Sequence, residues 1–238
     1  MIKFFRKIRY DLMEKNKTGK YFKYAIGEII LVVIGILIAL SINNWNQKLV
    51  SKDKAYSFLN QINKDLSLDL IYYKYMINKS SDYILIFDEF GKSKTENDSL
   101  LVKLGSIITN NSDSRDFGPS YRSFVNSGDI DLIEDKEFLS SLQVYYSIRT
   151  EKLNNMTDYQ KNFNIHNIEG RLVETLDMEP DGSYSLESLR KEMKSGSLRS
   201  MANWQNNVHK YRIQIMESCQ KVAQELQQRI NDLEITKG

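Results

Sequence analysis

Residues 24–46 read YAIGEIILVVIGILIALSINNWN, an apolar stretch that holds a single acidic residue, Glu28. From Ala25 to Ile42 every residue is apolar or small, apart from Glu28 and Ser41. A transmembrane helix needs roughly 17–25 such residues, so this stretch is long enough to cross a bilayer. The sequence therefore predicts one membrane-spanning helix near the N-terminus.

A cleaved signal peptide is the alternative interpretation of the same stretch. Its apolar run, Ile29–Leu40, has the length of a signal-peptide core, and Ala39-Leu40-Ser41 would serve as a cleavage site. The long basic segment before the run, and the polar helix-compatible sequence after it, favour an uncleaved anchor. Aromatic and basic residues flank the span as they flank membrane helices, and we predict that these are the interfacial anchors: Lys20, Tyr21, Lys23, Tyr24 and Trp45.

The distribution of charge predicts the orientation of the span. Residues 1–23 carry eight Lys/Arg and only two acidic residues. Since positive flanks stay on the cytoplasmic side, we expect the N-terminus in the cytoplasm and residues 43–238 in the periplasm. We therefore divide the chain into a basic cytoplasmic segment (1–23), a transmembrane helix (24–42) and a periplasmic helical domain (43–238).

The basic segment itself has an amphipathic pattern. Phe5, Ile8 and Leu12 share one helical face, as in helices that lie on anionic lipid, and a plain basic tail is the alternative. A basic segment would also suit nucleic acid, but this one adjoins a membrane span. We predict the lipid bilayer as its partner, and no nucleic acid.

Glu28 lies close to the cytoplasmic end of the span. At 100° per residue it shares a helical face with Gly35 and Ala39, a small-x-x-x-small pair that lets two helices approach closely. These three residues predict a surface that packs against a membrane helix of a partner protein or of a second copy. The alternative is that Glu28 reaches headgroup water or pairs with Lys20 or Lys23.

The rest of the chain has the pattern of an all-α protein. It contains only two prolines, and apolar residues recur every three to four positions. We expect a mainly α fold in which the membrane helix is followed by an elongated bundle of three long helices with short connecting helices. The short helices are predicted over residues 100–108, 121–126 and 186–193, and the second long helix is predicted to end near Leu176, with Asp131 or Asp135 as its N-cap.

The first and last long helices are predicted from their apolar stripes. The first stripe consists of Ala55, Leu59, Ile62, Leu66, Leu70, Tyr73, Ile77, Ser81, Ile84 and Phe87. The last stripe consists of Trp204, Val208, Tyr211, Ile215, Cys219, Val222, Leu226, Ile230 and Leu233. Its spacing is wider than that of a long coiled coil, which favours packing into a bundle.

Few residues are suited to catalysis or metal binding. His166 falls on an apolar face and is expected in the core, whereas His209 lies beside the last stripe and is expected to be exposed. Cys219, the only cysteine, is expected to be a core residue. We find no metal-ligand spacing, glycine-rich phosphate loop or G-x-S-x-G motif, and predict no catalytic, metal-binding or cofactor-binding residue, no cofactor and no enzymatic activity.

Several segments resemble one family. FFRKIR at 4–9, YAIGE at 24–28, GILIAL at 35–40 and NNWN at 43–46 are similar to an uncharacterised, domain-of-unknown-function family of single-pass inner-membrane proteins frequent in Bacteroidota. Ser127-Gly128, Asp135 and Tyr145-Tyr146 also resemble its soluble part, and Asp98-Ser99-Leu100 resembles a short O-glycosylation motif of Bacteroidota periplasmic proteins. The family resemblance implies an inner-membrane helical protein and no particular activity.

Three functions are compatible with these features. The leading hypothesis is a non-enzymatic scaffold or partner-binding subunit of an envelope complex. The second is a ligand-sensing helical ectodomain, which would have to signal through a partner because the cytoplasmic segment is too short for an output domain. The third, an enzyme, has no support in the sequence.

Overall fold

The computed structural model describes Tyr10 and residues 18–93 and 97–235. These residues are mainly α-helical, and no β-strand occurs among them, which confirms the predicted fold class. The amphipathic face of Phe5, Ile8 and Leu12 lies outside the described residues. The chain divides into two units, Met1–Lys54 and Ala55–Gly238.

The helices follow one another with short connections. They are α1 (Thr18–Lys92), α2 (Asp98–Ile107), α3 (Pro119–Asn126), a 3₁₀ turn (Ile130–Leu132), α4 (Lys136–Val144), a first π segment (Tyr145–Arg149), α5 (Thr150–Phe163), a second π segment (Asn164–Glu169), α6 (Gly170–Thr175), α7 (Leu186–Ser195) and α8 (Ser197–Ile235). The path from α4 to α6 is the second long helix of the sequence analysis, and it ends one residue before the predicted Leu176.

Local capping chemistry sets two of these boundaries. Asp135, one of the two predicted N-caps, accepts a hydrogen bond from the backbone N–H of Phe138 and starts α4. Asn97 caps α2 in the same way through the N–H of Leu100, so that helix begins two residues earlier than predicted.

In the first unit, α1 contains the predicted span. It is the one helix, within the described part of the chain, that is long and apolar enough to cross a membrane, with a mean hydropathy of 2.8 in its most apolar window. None of that window is buried inside the structure, and its large side chains, such as Leu31 and Leu37, are exposed.

In the second unit, α1 and α8 pair in antiparallel fashion. The hydroxyl of Tyr56 bonds to the carbonyl of Leu233 at one end, and Asn206 donates to Asp88 towards the other. The path from α4 to α6 also runs antiparallel to α8, since Arg229 pairs with Asp135 at 2.8 Å near its start and Arg171 donates to Ser197 at 2.8 Å near its end. Two apolar clusters form the core, one around Leu66, Phe124, Leu142 and Met216 and the other around Phe87, Leu104, Leu172 and Leu198.

The buried positions of the long helices correct the predicted stripes. On α8 one run of buried positions alternates three and four residues apart, as in a heptad pattern, and Val208 and Ile215 of the predicted stripe are buried beside it. The run consists of Ala202, Gln205, His209, Arg212, Met216, Cys219, Ala223, Leu226 and Ile230. Tyr211 was therefore wrongly placed inside: it is 43% exposed, whereas Arg212 is 1% exposed. Cys219 is buried as predicted.

Both histidine predictions were wrong. His166 is exposed and bonds to the carbonyl of Asn162, because the second π segment has a wider turn that moves Ile168 into the core instead. His209 is 3% exposed because it occupies a heptad position of α8.

Candidate functional site

Polar side chains occupy several buried positions where α1, α5 and α8 meet, and we call them the polar seam. On α1 the seam contains Asp69 and Ser80, and on α8 it contains Gln205, His209 and Arg212. Buried polar groups are costly unless they are hydrogen-bonded, so their partners decide what the seam can do.

One part of the seam is a hydrogen-bonded chain of two tyrosines and an aspartate. Tyr145 donates its phenolic proton to Asp69 Oδ2 at 3.1 Å. Its oxygen lies 2.9 Å from the hydroxyl of Tyr73, which therefore donates to it. All three side chains are buried, and Asp69 is 1% exposed.

Arg115 holds the other oxygen of the aspartate. Its Nε lies 3.4 Å from Asp69 Oδ1, and its guanidinium covers the rings of Tyr72 and Phe117 at 5.1 and 5.6 Å. Asn154 fixes the Arg115 backbone by bonding to both its N–H and its carbonyl. The buried carboxylate is thus partly compensated by a positioned cation.

The first π segment carries two buried tyrosines, Tyr145 and Tyr146. The Tyr146 ring stacks on Tyr121 at 5.1 Å and packs against Gly118, which adopts φ +64°. Only glycine fits there without strain, since a Cβ would lie inside the contact distance of the Tyr146 ring.

Burial changes the acidity of these groups. It raises the pKa of Asp69 to about 6, although the Tyr145 hydrogen bond and the charge of Arg115 oppose the shift. Burial also raises the pKa of Tyr73 and of Tyr145 far above the usual range, and that of Cys219 to about 11. The tyrosines and the cysteine are therefore protonated at neutral pH, and Asp69 titrates just below it.

A second part of the seam is a directional chain of amides. Each side chain donates to the next, at donor–acceptor distances between 2.6 and 3.2 Å. We call the chain the amide relay, and its members in order are Arg212, Gln160, Gln205, Asn164, Asn111 and Glu169. Because every amide points the same way, the relay links a buried cation at one end to a carboxylate at the other.

His209 lies beside the relay as a neutral imidazole. Gln160 presents its NH₂ group to His209 Nε2 at 3.5 Å, so that nitrogen accepts and Nδ1 donates to Ser80 Oγ at 3.3 Å. Protonation of His209 Nε2 would place a second donor opposite the NH₂ group of Gln160, and two donors cannot bond to each other. Burial, together with the charges of Arg212 and Lys79, lowers the pKa of His209 to about 3.

We expect acid to destabilise the protein through His209. Its pKa is 6.5 when unfolded and about 3 when folded, so the unfolded chain binds the proton more tightly. The stabilisation is complete above pH 6.5 and is lost as the pH falls towards 3, by at most about 1.4 kcal/mol per pH unit. Denaturant unfolding of the full chain in detergent micelles between pH 7 and pH 5 measures this loss, and His209→Gln should reduce it.

His166→Gln is the matched control, because that imidazole is exposed. Asp69 has the opposite effect on the pH dependence, because its raised pKa adds stability as the pH falls through 6. Each variant is therefore compared with the wild type at the same pH. Equal acid sensitivity of the His209 and His166 variants would contradict the assignment.

Two surface grooves lie along α8. One, of about 410 Å³, is lined by Glu137, Arg149, Glu225 and Arg229 among others. The other, of about 220 Å³, is lined by Arg149, Lys152, Tyr211 and Cys219 among others. Neither is lined by Asp69, Tyr73 or Tyr145.

The residues predicted to pack in the membrane lie on α1. Gly35 and Ala39 are exposed, with open space around Gly35, and Glu28 is half-buried. Of the predicted anchors, Lys23, Tyr24 and Trp45 are exposed, and the side chains of Lys20 and Tyr21 lie outside those described. The packing of Glu28, Gly35 and Ala39 against another helix stays a prediction.

In the described part of the chain, no cluster of His, Cys, Asp and Glu could hold a metal ion.

The polar seam was not predicted from the sequence, although a signal for it exists. Asp69 follows Leu66 by three residues and precedes Tyr73 by four, so it occupies the next position of the buried stripe. A search for polar residues at heptad positions would have found it, together with Gln205 and Arg212.

Fold and site together define a mainly α-helical protein that contains a candidate membrane-spanning helix and a buried polar seam. Residues 28–179 match the family described as "Family of unknown function (DUF6090)". The match covers more than half of the chain, which therefore belongs to this family, and the predicted membership of an uncharacterised family is confirmed. No curated protein and no solved structure matches the chain. The matched region includes Asp69 and Tyr145, while Arg212 lies beyond it.

Proposed function

We propose that this protein is a single-pass inner-membrane protein of the bacterial envelope, and that it binds a partner rather than catalysing a reaction. Its N-terminus lies in the cytoplasm and its helical domain in the periplasm. One observation carries the proposal: the apolar window of α1 is not buried by any part of the structure. Exposed apolar surface of that size needs lipid or another helix to cover it. The resemblance to anchors of Bacteroidota proteins supports the same assignment.

The partner is expected to pack on the face that contains Glu28, Gly35 and Ala39. Gly35 and Ala39 present almost no side chain, so a second membrane helix can approach the backbone closely. That helix belongs either to a second copy of this chain or to another envelope protein. A lipid-facing helix gains nothing from small residues on one side, which favours the packing interpretation.

Crosslinking in membranes tests this face. A photo-crosslinking residue at Val32, at the edge of the face, should give an adduct of defined mass, and Gly35→Ile should abolish it by blocking close approach. Glu28→Gln should leave insertion intact and weaken the adduct. Ser41→Ile is the matched control, because Ser41 lies on the opposite side of α1 and should tolerate the larger side chain.

An adduct that still forms in Gly35→Ile would refute packing on this face. An adduct of unchanged yield in Glu28→Gln would show that Glu28 is only an interfacial residue. Reporter fusions at both termini, with the mass of the purified protein, test the topology separately. A cleaved mass or a cytoplasmic C-terminus would overturn the anchor and its orientation.

The second candidate function is ligand sensing by the helical domain, with signalling through the membrane partner. The amide relay favours it, because the relay connects α8 to the second π segment and to the loop that carries Asn111. A change at Arg212 would alter hydrogen bonds along this whole line.

A further inference from the structure

Arg212 is a buried cation with one unused edge. Its side chain is among the largest that are fully buried, and Nη1 donates to Gln160 Oε1 at 2.6 Å. Nε and Nη2 are buried as well, and neither has a hydrogen-bond partner within the described residues. These two nitrogens form the edge of a guanidinium that binds carboxylates and other anions with two parallel hydrogen bonds.

The groups that interact with Arg212 are neutral. Gln160 accepts its hydrogen bond, and the imidazole of His209, whose pKa the charge of Arg212 helps to lower, is uncharged for the reasons given above. Tyr72, the phenol that interacts with its charge, is protonated because burial raises its pKa. Within the described part of the chain, no carboxylate forms an ion pair with Arg212. An uncompensated buried charge is among the most unfavourable arrangements in a protein core.

The relay does not supply the missing acceptor. Gln160 Oε1 is the one relay oxygen that reaches Arg212, and its NH₂ group is already committed to Gln205. Each remaining oxygen of the relay accepts from the preceding amide. The donors of the Nε–Nη2 edge therefore exceed the acceptors that the seam provides.

We propose that the Nε–Nη2 edge of Arg212 is a binding site for a small monovalent anion. The site takes either a planar carboxylate, through two parallel hydrogen bonds, or a halide, shared between the two N–H groups. Binding supplies the counter-charge and the acceptor that the buried guanidinium lacks. The inference concerns the second unit alone and does not rest on the membrane anchor or on a partner.

Thermal unfolding of the full chain in neutral detergent micelles tests the site. Sodium formate and sodium chloride are the two probes. Each is titrated at constant ionic strength by replacing sodium gluconate, whose six-carbon anion is too bulky to enter a buried site. The wild type should show a saturable rise in Tm, because a ligand that binds only the folded state stabilises it. A larger response to formate identifies a carboxylate site, and a larger response to chloride identifies a halide site.

Three variants assign the response to Arg212. Arg212→Met should abolish the rise in Tm, and Arg212→Lys, which keeps the charge but loses the paired edge, should shift half-saturation to at least tenfold higher anion. Arg149→Met should respond like the wild type, because Arg149 lies in a surface groove. If Arg212→Met does not fold, the lysine variant decides. No saturable rise in the wild type, or a wild-type response in Arg212→Lys, overturns the proposal.

Discussion

Gly118→Ala is expected to destabilise the protein by about 2–5 kcal/mol, the largest effect of any single methyl group that we foresee. Two costs add at this position. The backbone has φ +64°, a left-handed conformation that costs a non-glycine residue roughly 1–2 kcal/mol. The new Cβ would also overlap the Tyr146 ring, and overpacking of a filled core costs typically 1–3 kcal/mol.

The prediction is measured by denaturant unfolding of the full chain in detergent micelles. Gly128→Ala is the matched control: Gly128 has φ +74°, but a Cβ there would meet open space. It should therefore show only the backbone cost, about 1–2 kcal/mol. Equal losses at the two glycines would mean that Tyr146 moves aside freely, and that the tyrosine packing beside the polar seam is not tight.

Regular patterns explain how much of the fold could be predicted from the sequence. The long helices were found because apolar residues recur at helical spacing, and the start of α4 was narrowed to Asp131 or Asp135 because aspartate is a good N-cap. The span was found because apolar length alone defines a candidate. In each case a local property of the chain determines the local structure.

The polar seam was not predicted, because its residues are polar at positions where the pattern expects apolar side chains. Hydrophobicity alone predicts that Tyr211 is buried and Arg212 exposed. In the three–four alternation of α8, however, Arg212 is buried and Tyr211 is exposed. The buried guanidinium donates to the side-chain amide of Gln160 on another helix. The π segments have no comparable sequence signal, although the second one moves Ile168 into the core and His166 out of it. These features depend on contacts between distant segments.

Tyr145→Phe is expected to cost about 2–3 kcal/mol at pH 7.5. The substitution keeps the ring but removes the proton that Asp69 Oδ2 accepts, and it leaves a buried, charged oxygen without its donor. Hydrogen bonds to charged groups contribute roughly 1.5–3 kcal/mol, and an unsatisfied buried partner adds to the loss. Tyr73 also loses the hydroxyl to which it donates.

Tyr146→Phe is the matched control, since it removes the same atom from the neighbouring residue of the same π segment. The Tyr146 hydroxyl is buried with no hydrogen-bond partner among the described residues, so its removal should be neutral or slightly stabilising. The contrast between the two variants isolates the hydrogen bond from the packing of the ring.

The pH dependence identifies Asp69 as the partner. Its pKa of about 6 in the folded protein means that the carboxyl is charged at pH 7.5 and mostly neutral at pH 5, where it needs the Tyr145 proton less. Loss of this bond should raise the pKa further, so Tyr145→Phe should cost less at pH 5 than at pH 7.5. In an Asp69→Asn background the cost should shrink at both pH values and lose its pH dependence. A cost that is the same in both backgrounds would show that Tyr145 stabilises the fold by some route other than this carboxylate.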